Sequence, residues 1–407
     1  MSKFLQWCVD NSKFLISLIT VIISILPTIL DFFFKDSGKE KESSKKVENF
    51  SNTSKTFKND YFDNVDESTL KPLQIKINNL DDLIKLGESY NEDSPVKYVI
   101  NLKLLNRCVP ELKELNSMIG MKSIKQNILD LFYFYFQDFT KSDQNKHMMH
   151  SIIEGDPGCG KTEVAKILSK LYYKMGVVKQ NKFTQIARED CMGRYLGQTE
   201  EKTKALFSKA KGGVIFIDEA YSMGYEKNVG QGGGSSYSQI FIDMLTSMLT
   251  EEKGNTVVIL AGYAEDIKEK LFSHNKGLFR RFPYRFTIKN YTAKQLELIY
   301  RKKVKDDGWQ VLENSLDPVF FKKRKKYFKY SGGDIETLWA FTKKAHAKRV
   351  FGCLPCYRKK IIQEDLTNAF KMFCSNSEVK ERIKKKKEET KIDREKINKM
   401  FKNLLGE

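Results

Sequence analysis

Two short stretches carry the residues whose types and spacing could do chemistry. Gly155-Asp156-Pro157-Gly158-Cys159-Gly160-Lys161-Thr162 fits G-x-x-x-x-G-K-[ST], a turn whose glycines let several backbone N–H groups converge on a phosphate. The helix expected after it adds its positive N-terminal end to the same anion site. Lys161 supplies a compact charge to phosphate oxygens, and the Thr162 hydroxyl is a ligand for Mg²⁺. Further on, Val214-Ile215-Phe216-Ile217-Asp218-Glu219 runs four apolar residues into two carboxylates. Four in a row suit a central strand of a parallel sheet, buried on both faces, and such sheets bind ligands at the carboxyl ends of their strands. Asp218 is then placed to hold the hydration shell of the metal ion opposite Thr162. Glu219 is placed to orient and deprotonate an attacking water. Together the two stretches predict hydrolysis at a bound polyphosphate.

The elements that must position these residues can be read around them. Met148 to Glu154 predicts a short buried strand before the glycine turn, and Val164, Ile167, Leu168 and Leu171 fall on one helical face after it. Phe183 to Ala187 predicts a second strand, then a loop over Met192 to Thr199 and a helix from Glu200 to Lys211. A helix over Tyr237 to Leu249 and a buried strand over Thr256 to Ala261 come next, and Phe286 to Ile288 closes the set. Around the glycine turn, strand, loop and helix come in the order that a phosphate-binding loop requires. Between Gly224 and Ser236, Gly230, Gly232, Gly233 and Gly234 predict a mobile connector.

Several further stretches resemble AAA+ ATPases. Ser117-Met118-Ile119-Gly120-Met121, opening a helix upstream of the phosphate loop, is similar to the entry of those modules, where it packs against adenine. Tyr195-Leu196-Gly197 resembles the aromatic–hydrophobic–Gly loop that protein-threading rings project into their pore, an aromatic grip independent of client sequence. Asn275-Lys276-Gly277-Leu278-Phe279-Arg280-Arg281-Phe282 is similar to the stretch that bears the arginine finger. The match makes Arg281 the finger and Arg280 its alternative. A finger acting on the neighbour's γ-phosphate implies an oligomer, and the family forms hexameric rings. The Ala261-Gly262-Tyr263 ending resembles the CbxX/CfqX branch and puts Tyr263 where other branches carry a polar γ-phosphate sensor. Ser331-Gly332-Gly333-Asp334-Ile335 resembles the lid turn, with Asp334 where many branches have a second sensor arginine. The glycine-rich connector matches the place of a second pore loop.

The resemblance covers residues 114 to 375. It implies an α/β fold with a five-stranded parallel sheet sandwiched by helices (114–288), a C-terminal helical lid (289–375), and ATP with Mg²⁺ at their junction. Gly155 to Thr162 would bind the nucleotide, Thr162 and Asp218 the metal, and Lys161, Glu219 and Arg281 would act in catalysis. The function implied is an ATP-driven homohexamer that remodels or threads a protein through Tyr195.

The flanks are read from composition. Phe14 to Leu30 carries no charge and apolar character continues to Phe34, just long enough for a bilayer-spanning anchor over residues 14–34. The lysines at 35, 39, 41, 45 and 46 then put the ATPase module on the cytosolic side. Residues 35–70 read as a flexible tether, 71–113 as a small helical region or a lead-in to the core, and 376–407 as a charged terminal helix. The net charge of +19 invites nucleic acid as a partner, but the excess is lysine spread through the chain, so a nucleic-acid motor is the lesser reading. A third reading is a membrane scaffold that uses ATP as a switch. Seven cysteines without a framework fit a reducing compartment, and the single Cys353/Cys356 pair reads as structural.

Overall fold

A computed structural model describes residues 47–49, 61, 65–137, 148–193, 195–224, 234–252, 254–273, 275–312, 316–382 and 384. The expected anchor over residues 14–34 lies outside the described residues. Among the described residues no helix is long and apolar enough to cross a membrane.

Five parallel strands form the expected sheet: β2 (Ser151–Glu154), β3 (Lys182–Ile186), β4 (Val214–Ile217), β5 (Val257–Gly262) and β6 (Tyr284–Thr287). A sixth, β1 (Val47–Asn49), pairs antiparallel with β3 and so comes from the stretch read as a tether. The order β1-β3-β4-β5-β2-β6 brings the carboxyl ends of β2 and β4 to one edge, with β5 between them. Strand side chains alternate between the faces. Val214, Phe216, Val257, Ile259 and Ala261 join one apolar cluster, and Ile215, Ile217, Val258 and Leu260 the other. Apolar residues throughout, most of them β-branched or aromatic and with no polar break, are what a sheet covered on both sides demands.

The first face is covered by α1 (Leu80–Glu88), α2 (Leu102–Ser117), α3 (Lys122–Phe136) and α4 (Lys161–Met175). The second is covered by α5 (Leu196–Ala210), α6 (Gly234–Glu251) and a π-helical turn at Ile267–Phe272. Asn79 and Asn101 cap α1 and α2, their side chains accepting from the N–H groups of Asp82 (3.0 Å) and Leu104 (2.8 Å). Gly87 lets α1 lie against α2, since a Cβ there would meet Val109 Cγ2 at 2.6 Å. In turn α2 packs on α4 and is pinned to it by Lys174–Glu111 (2.5 Å) and Lys170–Glu114 (3.2 Å). The region ahead of the sheet, for which the sequence offers no role, thus buttresses the helix that carries Lys161.

The lid is built from α7 (Ala293–Asp306), α8 (Ser331–Arg349), α9 (Gln363–Ser375) and a two-stranded parallel pair, β7 (Gln310–Val311) with β8 (Lys360–Ile361). Thr292 and Gln295 make a reciprocal capping box at the start of α7. Leu296, Tyr300, Val304 and Trp339 continue the first apolar cluster, so lid and sheet share one core. His346, near the cysteine pair in sequence, is buried against Asp365 (3.2 Å) rather than turned to the exposed Cys353 and Cys356.

His150, just before β2, is buried and its Nδ1 accepts from Val258 N at 3.1 Å. Burial, together with the Arg281 charge, pushes its pKa down to about 4, from an ordinary value near 6.5. The folded ring is neutral, so its contribution is intact above about pH 6.5 and is lost as pH falls toward 4. Asn can accept the same bond. Denaturant titrations at pH 7 and 4.5 should show the acid loss shrinking in His150→Asn by up to about 3 kcal/mol; an unchanged pH slope would count against a neutral buried ring.

Candidate active site

The turn after β2 crosses directly to α4, with Gly155 N donating to Gly262 O (3.2 Å) and so tying it to the end of β5. Gly158 has φ of +68° and lies where a Cβ would meet Tyr330 O at 2.3 Å and Gly333 N at 2.8 Å. Only glycine permits both that conformation and that closeness of the lid. Gly332 N donates to Gly158 O at 3.0 Å, so the lid turn sits on the phosphate loop itself. Asp156 is held by Asn290 (2.7 Å), and the Cys159 carbonyl accepts from the Tyr291 hydroxyl (2.8 Å). Burial pushes the Cys159 thiol up, leaving it a small packing residue in the loop wall.

Lys161 Nζ donates to the carbonyls of Gly155 and Asp156, both at 3.0 Å. The Thr162 hydroxyl donates to Asp218 Oδ2 at 3.3 Å, joining α4 to the end of β4. The other Asp218 oxygen accepts from Glu219 N at 3.0 Å. Glu219 has φ of +47°, an uncommon conformation for a residue with a side chain, and it is exposed. Such a residue persists only where its surroundings impose it, and it clusters at functional sites. Asp218 stays against Thr162 while Glu219, in its left-handed conformation, is exposed, so the two adjacent carboxylates meet different surroundings.

Two tyrosines adjoin these groups, their rings 5.6 Å apart. Tyr221 follows Glu219 by two residues, and Tyr263 directly follows β5. Lys161 Nζ lies 5.8 Å from the Tyr263 ring centre. Burial pushes the Tyr221 hydroxyl up to about 12, and the nearby Glu219 carboxylate adds to the shift. Tyr263 is raised too, by burial and then by Tyr330, Asp156 and Glu219. Both stay protonated donors at neutral pH.

These residues line one cleft of about 550 Å³, within the range of small-molecule sites. Met118 and Ile119 form part of its wall, as the resemblance of that stretch implies, and α7 contributes Lys302 and Lys303. Lys302 reaches the Ser117 carbonyl (3.3 Å), and Lys303 pairs with Glu336 of α8. Tyr221, Tyr291 and the two lysines are site residues that the sequence does not single out. Tyr221 alone had a signal, its closeness to Asp218-Glu219.

Of the predicted residues, Gly155 and Asp156 begin the phosphate loop without lining the cleft, and Arg281, Arg280 and Tyr195 stand outside it. Arg281 does not line it; its Nε and Nη2 donate to Thr250 Oγ1 (3.2 and 3.0 Å) and its Nη1 to Gly277 O (2.9 Å). Arg280 is exposed beside it. Tyr195, 71% exposed, directly precedes α5, which starts four residues earlier than its apolar periodicity suggests.

Residues 151–287 match the family model described as ATPase family associated with various cellular activities (AAA). A cfxQ-like protein, R730, of Acanthamoeba polyphaga mimivirus is 36% identical over 275 residues, 67% of this chain and 66% of the relative. Stage V sporulation protein K of Bacillus subtilis is 31% identical over 207 residues, 50% of this chain and 62% of that one. Protein CbxX, chromosomal, of Cupriavidus necator is 31% identical over 186 residues, 45% of this chain and 57% of that one. The chain therefore spans 66% or less of the length of each of these three. The phosphate loop, the Thr162–Asp218 pair and the parallel sheet lie within the matched region, so the chain carries an AAA ATPase domain, and its relatives match the CbxX/CfqX branch.

Proposed function

We propose that this chain is a Mg²⁺-dependent ATPase that assembles as a ring and converts hydrolysis into pulling on a protein. One observation carries the reading: Lys161, the Thr162–Asp218 pair and Glu219 meet in a single cleft under the lid turn. The loop N–H groups and Lys161 would bind the phosphates, and Met118 and Ile119 would flank the base. Thr162 and Asp218, two hard oxygen donors 3.3 Å apart, fit Mg²⁺, which when bound offsets phosphate charge. Glu219 takes the proton of the attacking water. Tyr221 and Tyr263, both protonated, offer hydroxyl donors beside it. Phosphate release by the full chain with Mg²⁺ and ATP, and its loss on chelation, tests this part; turnover indifferent to chelation would remove the metal from it.

The ring and its pull rest on the family resemblance, on Arg281 lying off its own cleft, and on the exposure of Tyr195. The charge-free run from Phe14 to Leu30 supports action at a membrane, with the ATPase module on the cytosolic side. Tyr195→Ala is expected to keep ATP turnover within about twofold, because the side chain packs on nothing that shapes the cleft. Crosslinking through a photoreactive residue placed at 195, with turnover measured in parallel, reads the client contact. Absence of any nucleotide-dependent protein adduct would count against threading.

A further inference from the structure

The lid turn on the phosphate loop is held from behind by the far end of the chain. Ser331, buried and not glycine, has φ of +45°. A β-carbon in that conformation is strained and needs surroundings that impose it. Asp334 provides the first constraint, its Oδ2 accepting from Tyr330 N at 2.7 Å across the turn. Gly333 N closes the same turn onto Tyr330 O at 3.0 Å. Arg382 provides the second, from a helical stretch beyond α9. Its two terminal nitrogens grip both Asp334 oxygens, at 3.0 and 3.2 Å, and its guanidinium lies 4.4 Å from the Tyr330 ring centre. Both side chains are largely out of water, 15% exposed for Arg382 and 5% for Asp334. A planar fork on a carboxylate and an aromatic face is a contact that lysine cannot reproduce.

The consequence runs forward to the nucleotide site. Tyr330, Gly332 and Gly333 are the lid groups that press on Gly158, and Gly332 and Gly333 line the cleft. Removing the guanidinium leaves a buried carboxylate uncompensated, which favours letting water in and opening the turn. We infer that Arg382 is a positioning residue for nucleotide retention: through Asp334 it fixes the Tyr330–Gly333 turn against the phosphate loop, so that the segment beyond α9 governs how readily nucleotide leaves. The inference rests on the nucleotide reading of the cleft. It also gives Asp334, which stands where other branches place a sensor arginine, a task of its own as the socket for an arginine arriving 48 residues later.

The full chain, Arg382→Ala, Arg382→Lys, Asp334→Asn and the double variant Arg382→Ala/Asp334→Asn would be compared in three measurements. These are the release rate of a fluorescent ADP, amide hydrogen exchange of residues 328–336, and thermal unfolding. Arg382→Ala should release ADP about tenfold faster, an ordinary size for coupling between two sites. Exchange at the turn should rise while the sheet stays protected. Arg382→Lys should fail to restore retention, and the double variant should be no worse than Arg382→Ala alone, because the two residues act as one unit. An unaltered ADP release rate in Arg382→Ala, or a lowered unfolding temperature with no change at the turn, overturns the inference. If the wild-type chain binds no ADP, the nucleotide reading and this inference fall together; if it binds ADP and the variants release it at the wild-type rate, this inference falls alone.

Discussion

Glu219→Gln should bind ATP as the unaltered chain does and release phosphate about a thousandfold more slowly. The amide matches the carboxylate in shape and can still accept from a neighbouring donor, but it takes no proton from water. Binding should survive because the groups expected on the phosphates are the loop amides, Lys161 and Thr162, none of which leans on the Glu219 carboxylate. The backbone contacts of Glu219, its N–H to Asp218 and its carbonyl accepting from Ser222 N at 2.7 Å, are left in place by the substitution, and its left-handed φ is no worse for Gln than for Glu. Binding of a fluorescent ATP analogue beside single-turnover phosphate release separates the two effects. Turnover at the wild-type rate would strip Glu219 of its role as base and revive the ATP-switched scaffold. A trapped ATP state, in contrast, offers a way to capture the protein client in place.

Much of this site was legible in the sequence because local pattern and long-range geometry coincide there. Thr162 and Asp218 are 56 residues apart, yet each sits at a boundary that the chain announces: a glycine turn opening a helix, and an apolar run ending in carboxylates. Once both strands are parallel in one sheet, their carboxyl ends meet. Where the pattern is faint, the reading drifts. The helix after Tyr195 starts early because its first turn has no capping side chain to mark it. Val47–Asn49 joins the sheet edge through backbone pairing that three residues of a polar segment do not foreshadow. Lys302, Lys303 and Tyr291 reach the cleft only because the lid shares a core with the sheet, a tertiary fact with no periodicity of its own. Arg382 was hidden most deeply. It sits at the start of a lysine-rich run that composition reads as a solvated face, while its guanidinium is buried on Asp334.

Arg281→Ala should lose turnover by about a thousandfold while each subunit still binds ATP, the size expected when a finger that stabilises phosphoryl charge is removed. The side chain is moored without being neutralised. Thr250 and Gly277 hold it through a hydroxyl and a carbonyl, so its charge is presented whole by the short helix Lys276–Arg280, whose start is fixed by Asn275 accepting from Leu278 N at 2.9 Å. Because Arg281 does not line the cleft of its own chain, its effect should pass between subunits, and mixing can show it. Arg281→Ala retains Glu219, and Glu219→Gln retains Arg281. In a ring assembled at random from equal amounts, about a quarter of interfaces join an intact base to an intact finger, so two inactive proteins should regain activity on mixing. Recovery would require an oligomer in which the site is shared. If mixing restores nothing although the two variants assemble together, the arginine acts within one chain or not at all; if Arg280→Ala produces the loss and the recovery instead, the finger is its neighbour. A finger in trans also explains why a chain with its own complete phosphate loop and carboxylate pair would still be slow alone: among the described residues the other cleft cations, Lys302 and Lys303, are engaged by Ser117 and Glu336, so beyond Lys161 the charge that develops on the leaving phosphoryl group calls for a cation from a neighbour.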